Sequence, residues 1–266
     1  MCSKGLTLAP KPGNTGRRLL ETPSGLINSI GLENPGIPHF IEHELKTMMD
    51  LGPVVLANLS GAGLETYVEG AALLDKTDVP MIELNISCPN VKAGGMAWGL
   101  DCRAASEVVS AVRKATSKPL MVKLSPNAPD LSGVARSVVA AGADALSLVN
   151  TFQSFAVDIE KGRPYFDNVT AGLAGPAIKP IALRMLRDVM LNVPECRDGR
   201  IPVAGLGGIS CWQDAVEFIM TGAKAVQVGT ATFANPHAME EIIAGLISFM
   251  ERKGYGEIED MRGIAL

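Results

Sequence analysis

An α/β fold of the TIM (β/α)8 type is predicted here by three features of the sequence. Short β-rich runs alternate with helical patterns from one end to the other. Most of these runs finish near an asparagine, a lysine or a glycine. No Ser- or Pro-rich linker and no low-complexity tract divides the chain, so its 266 residues are read as a single barrel domain.

The strands are expected at residues 2–6, 54–58, 81–85, 120–124, 143–149, 201–204 and 225–228. Helical patterns fill residues 37–49, 63–74, 102–115, 130–141, 177–191, 212–220 and 236–252. Strand followed by helix without a break implies parallel strands joined by right-handed crossovers. Seven such units are visible, and a closed barrel of this class has eight. The chain starts almost inside a strand, at "MCSKGLTL". The expectation is therefore a barrel truncated at its N-terminus, missing its first βα unit, since an absent strand leaves two unpaired edges. Residues 151–175 hold no helical period but carry Gly, Pro, Asp and Asn at turn spacing, which predicts a hairpin or lid insertion.

Composition excludes several classes of function. A net charge of -4 offers no footprint for a nucleic acid or an anionic membrane, and 5% aromatic residues give no base-stacking platform. No uninterrupted apolar run reaches the ~18 residues of a membrane span, and no signal-peptide pattern opens the chain, so a cytoplasmic setting is expected. The five cysteines lack CxxC spacing and read as reduced thiols, not as a disulfide framework or a zinc site. "HFIEH" at residues 39–43 has the H-x-x-E-H spacing of one zinc hydrolase class, but it lies on a helix expected outside the barrel. "GAGLETYVEG" at residues 61–70 lacks the third glycine of a dinucleotide loop.

Parallel barrels place their chemistry at the C-terminal ends of the strands. Here Asn58, Asn85 and Asn150 close three strands, Lys123 stands near the end of a fourth, and Lys4 lies in the first. One such asparagine is ordinary turn chemistry; three with two lysines aim at one volume. A carboxamide offers a donor and an acceptor together, which suits a heterocycle with alternating N–H and C=O groups. The last two strands end in glycines: Gly205, Gly207 and Gly208 in "VAGLGG", then Gly229 and Thr230 in "VQVGT". Backbone N–H groups at such ends close on an anion, so a phosphate-bearing ligand is expected. Cys88, in "SCPN" just beyond a strand end, is followed by the glycine pair of "VKAGG". A thiol in a positive environment there could accept a proton near neutral pH.

With these residues in view, the chain resembles the catalytic subunit of class 1B dihydroorotate dehydrogenases. The resemblance spans nearly the whole chain and rests on residues 21–36 ("ETPSGLINSIGLENPG"), 83–95 ("ELNISCPNVKAGG"), 146–180 and 201–231. It implies an FMN enzyme in which Cys88 removes the C5 proton of dihydroorotate while the C6 hydride goes to the flavin. Asn28, Ser29, Ile30, Gly31, Leu32, Asn85, Asn90, Asn150 and Thr151 would hold the substrate, and Lys4 would touch substrate and flavin. Gly5, Asn58, Asn85, Lys123, Val149 and Gly175 would border the flavin, with Gly207, Gly208, Gly229 and Thr230 on its phosphate. It further implies an iron–sulfur partner subunit carrying FAD and a 2Fe–2S cluster, passing electrons to NAD, in a homodimer within a heterotetramer. A dihydropyrimidine dehydrogenase-like flavoenzyme and a non-catalytic truncated barrel are the alternatives.

Overall fold

The computed structural model describes residues 1–87 and 98–266, in two compact units. The first unit comprises Met1–Thr15 and Ile30–Leu146. Its sheet is parallel. Cys2 and Leu6 bridge to Leu56 and Leu59, the strand Leu56–Leu59 pairs with Met81–Asn85, and that strand pairs with Leu120–Lys123. The register sets Asn58 opposite Glu83 and Asn85 opposite Lys123, so four polar residues share one end of three neighbouring strands. Leu59, Ile82, Leu84, Leu120 and Val122 are fully buried, as expected of parallel strands covered on both faces.

Helices Leu64–Asp75, Cys102–Ala115 and Leu131–Ala140 return the chain between these strands. Two begin on aspartates that satisfy otherwise unpaired N–H groups. Asp101 accepts from the Arg103 and Ala104 amides, and Asp130 accepts from Gly133. Cys102–Ala115 buries Ala105, Val108, Val109 and Val112, an i, i+3, i+4, i+7 stripe that supplies its adhesion. The helix expected at 37–49 is present in three pieces, Ile37–His39, a π turn at Phe40–Glu44, and Leu45–Asp50. The strand Ala145–Leu148, buried throughout, carries the chain from the first unit into the second.

The second unit comprises Gly16–Ser29 and Ser147–Leu266. It contains an antiparallel sheet in the order Leu19–Thr22, Gly25–Asn28, Thr170–Ala174, Phe152–Phe155. The insertion expected at 151–175 is thus built from Phe152–Phe155 and Thr170–Ala174, with Val157–Asp158 and Arg163–Pro164 forming a smaller hairpin between them. The strands at 19–28 were not expected from the sequence. Each has only four residues, and their signal is the turn "TPSG", with Pro and Gly where a tight turn favours them. Ile27, Phe166 and Ala171 form a small core under this sheet. Beyond it, Val203–Leu206 pairs in parallel with Ala225–Gln227, and the Val149 amide donates to Leu206 O at 2.9 Å. Helices Lys179–Asn192, Trp212–Met220 and Ala238–Lys253 complete the unit, the last ending on left-handed Gly254.

Candidate active site

In the first unit the polar strand ends form one directional chain of hydrogen bonds. Ser87 Oγ donates to Asn85 Oδ1 at 2.6 Å, Asn85 Nδ2 to Asn58 Oδ1 at 3.4 Å, and Asn58 Nδ2 to Glu83 Oε2. Lys123 Nζ stands 3.7 Å from the same Glu83 oxygen. Glu83 is wholly buried, whereas the Lys123 side chain keeps 15% of its surface exposed. Cys2 Sγ lies 3.6 Å from Glu83 Oε2, and desolvation, then the neighbouring carboxylate, push this thiol up to about 12. Tyr67 braces the strand end from below, its hydroxyl donating to Asn85 O at 3.0 Å.

The start of the chain closes on this cluster. Ser3 Oγ accepts from the Asn58 amide at 2.9 Å, and a Cβ on Gly5 would sit 3.1 Å from Asn58 Oδ1 and 3.2 Å from Leu32 Cδ2. Lys4, between Ser3 and Gly5, is exposed. Gly31 and Leu32 both adopt positive φ, at 76° and 58°. At Gly31 a Cβ would fall 2.3 Å from Asn14 Oδ1, so only glycine fits. The Asn14 amide donates to Ile30 O at 3.0 Å, holding this turn in place.

The second unit gathers the remaining described candidates around two glycine-rich places. Asn28 Nδ2 donates to Gly172 O at 3.2 Å, and a Cβ on Gly172 would collide with Thr151 Oγ1 at 2.3 Å. Ser29 Oγ accepts from Asn168 at 3.4 Å, and Asn150 Oδ1 accepts from the Thr151 amide at 2.8 Å. Elsewhere in this unit Gly207 (φ 118°) and Gly208 (φ 86°) turn the chain after Val203–Leu206. A Cβ on Gly207 would lie 3.4 Å from Val149 Cγ2, and one on Gly208 would lie 2.8 Å from Lys179 N and 2.9 Å from Gly175 O. Gly229 has nothing within 4 Å of its Cβ position, and Thr230 precedes the short helix Ala231–Ala234. Cys88 and Asn90 lie outside the described residues.

Gly208→Ala is expected to cost about 3 kcal/mol, because an L-residue is strained at this φ and its methyl group would meet backbone atoms. A lower urea midpoint is the expected readout; an unchanged midpoint would mean that the turn relaxes freely.

The protein-family model for dihydroorotate dehydrogenase matches residues 1–250. The chain belongs to the dihydroorotate dehydrogenase family. Among curated members, it is 52% identical to the "Dihydroorotate dehydrogenase B (NAD(+)), catalytic subunit" of Petrotoga mobilis, over 99% of this chain and 86% of that one. Proteins of the same name from Desulforamulus reducens (47%) and Phocaeicola vulgatus (46%) match 98% of this chain and 84% of their own lengths. These relatives are of the B type, class 1B, to which "SCPNVKAGG" points. The fold class is that of the family, an α/β fold of the TIM-barrel type.

Dihydroorotate dehydrogenases are flavin-dependent, and each unit taken by itself holds features that suit part of a flavin nucleotide. The Ser60 hydroxyl, buried and with no hydrogen-bond partner among the described residues, lies 3.3 Å from the Cβ position of Gly5 and awaits a polar partner. In the second unit, Gly207 and Gly208 present bare backbone at positive φ, and Gly229 adds open space, as a phosphate-binding turn requires.

Two features of this dihydroorotate dehydrogenase chain escaped the sequence reading. Glu83 sits two residues before Asn85, on the same face of the same strand; a charged residue inside "MIELN" is its signal. Lys179 bonds Asp214 at 2.8 Å and Glu217 at 2.7 Å, which raises its proton affinity. Burial opposes ionisation of Asp214, but Lys179 and the N–H and O–H of Ser210 outweigh it and bring the carboxyl down to about 2. That carboxylate also accepts from the Cys211 amide, which ties the segment after Gly208 to the helix Trp212–Met220. Its only sequence signal is an aspartate three residues into a helix start.

Proposed function

We propose that this chain oxidises dihydroorotate to orotate, a step of pyrimidine (UMP) biosynthesis, as the catalytic subunit of an NAD-linked class 1B enzyme. The observation that carries the reading is the 52% identity over 99% of the chain to a protein of that name. The geometry of the first unit supports it, because asparagine amides oriented by a buried carboxylate suit a pyrimidine ring.

The residues that would hold FMN are Lys4, Gly5, Asn58, Asn85, Lys123, Val149, Gly175, Gly207, Gly208, Gly229 and Thr230. Bound there, FMN would supply the acceptor for the substrate's hydride. Cys88 would take the proton from C5 as general base. Asn28, Ser29, Asn150 and Thr151, with Ile30, Gly31, Leu32, Asn85 and Asn90, would orient the ring and its carboxylate, and Lys4 would meet both ligands. Lys123 would place a positive charge where electron density accumulates, a preorganised electrostatic stabilisation. The name "catalytic subunit" supports a partner. That partner would be an iron–sulfur flavoprotein with FAD and a 2Fe–2S cluster, in a heterotetramer built on a homodimer of this chain. A cytoplasmic setting fits the reading, and no helix among the described residues is long and apolar enough to cross a membrane.

The test is a turnover assay of the FMN-supplemented chain with an artificial electron acceptor. Dihydroorotate is expected to reduce the acceptor and dihydrouracil is not. The opposite preference would move the assignment to a dihydropyrimidine dehydrogenase-like enzyme.

A further inference from the structure

Glu83 has no part in the proposed reaction, yet the polar chain of the first unit ends on it. An ionised carboxylate can only accept hydrogen bonds. Asn58 must therefore turn Nδ2 toward Glu83, which leaves Oδ1 facing Asn85. Asn85 answers with Nδ2, and its own Oδ1 is left to accept from the Ser87 hydroxyl at 2.6 Å and the Ser87 amide at 3.3 Å. One buried charge thus decides the donor and acceptor pattern of two carboxamides that otherwise flip at little cost. The same oxygen draws Lys123 Nζ to 3.7 Å, so the ammonium is both placed and partly balanced.

We propose that Glu83 is a positioning residue of this site: its carboxylate sets the orientation of the Asn58 and Asn85 amides, holds the Lys123 ammonium in place, and moderates the positive charge that Lys123 presents to the flavin. The flavin half of this proposal rests on the FMN reading above, whereas the charge on Glu83 can be tested without it.

Cys2 is the reporter for that charge, since its thiol contacts Glu83 Oε2 and is held up chiefly by desolvation and by this carboxylate. In Glu83→Gln, which keeps the size of the side chain, alkylation of Cys2 by iodoacetamide, followed on its peptide by mass spectrometry, should accelerate on the order of tenfold as the thiolate becomes accessible. The midpoint potential of bound FMN should move to more positive values, because Lys123 is then unopposed. Glu83→Asp, which retains the charge, should restore part of the parent potential. A merely structural role would move neither the alkylation rate nor the potential. If Glu83→Gln does not fold alone, Glu83→Gln/Lys123→Met is compared with Lys123→Met, which isolates the Glu83 charge because Lys123 itself acts on the Cys2 thiol in the opposite direction. An unchanged Cys2 rate overturns Glu83 as the controlling anion. FMN uptake with an unchanged potential overturns its effect on the flavin alone. Failure of the parent chain to take up FMN overturns the cofactor reading and the flavin half of the proposal with it.

Discussion

Under the proposed mechanism, the Cys88→Ala variant should still take up FMN, yet be reduced by dihydroorotate about 10²–10⁴-fold more slowly, the usual worth of a positioned general base. The residue before it, Ser87, is buried and bonded through both its amide and its hydroxyl to Asn85 Oδ1. The chain therefore leaves the strand end Met81–Asn85 from a fixed seat, and Cys88 is the next residue. Its neighbourhood in sequence holds no other thiol to take over its role. Binding and chemistry should thus separate cleanly. Rapid mixing of the FMN-loaded protein with dihydroorotate gives the rate, and an unchanged rate would remove Cys88 from the mechanism.

Lys123→Met should be the most destabilising change in the polar cluster. It removes the ammonium next to a wholly buried carboxylate whose Oε2 also accepts from Asn58 and Cys2. Breaking a buried pair from one side typically costs ~3–5 kcal/mol, and the residual exposure of Lys123 places the expected loss near the lower end, about 3 kcal/mol. Adding Glu83→Gln should recover most of this, since the uncompensated charge is then gone. Urea unfolding of the two variants measures the difference. Equal stability of single and double variants would show that Glu83 does not depend on Lys123.

The architecture was largely legible because hydrophobic periodicity reports burial directly. Runs such as "MIELN" and "LMVKL" are short, apolar and flanked by helical patterns, and both became strands within a residue of the expected limits. Asn58, Asn85 and Lys123 were singled out because strand ends are where a parallel barrel carries polar chemistry, and the register sets Asn85 opposite Lys123. Glu83 was passed over for the same reason. It lies inside a strand, where a lone carboxylate carries no motif, and its meaning appears only once Asn58 and Lys123 stand beside it. Similarly, the strands Leu19–Thr22 and Gly25–Asn28 draw their stability from Thr170–Ala174, far along the chain, which no local pattern announces.

The most direct test is an anaerobic titration of the FMN-loaded chain with dihydroorotate, counting orotate released against flavin reduced. One orotate for each flavin bleached is the predicted result. Flavin that stays oxidised while dihydroorotate is bound, or bleaching without orotate, would contradict the assignment of this chain as the site of dihydroorotate oxidation.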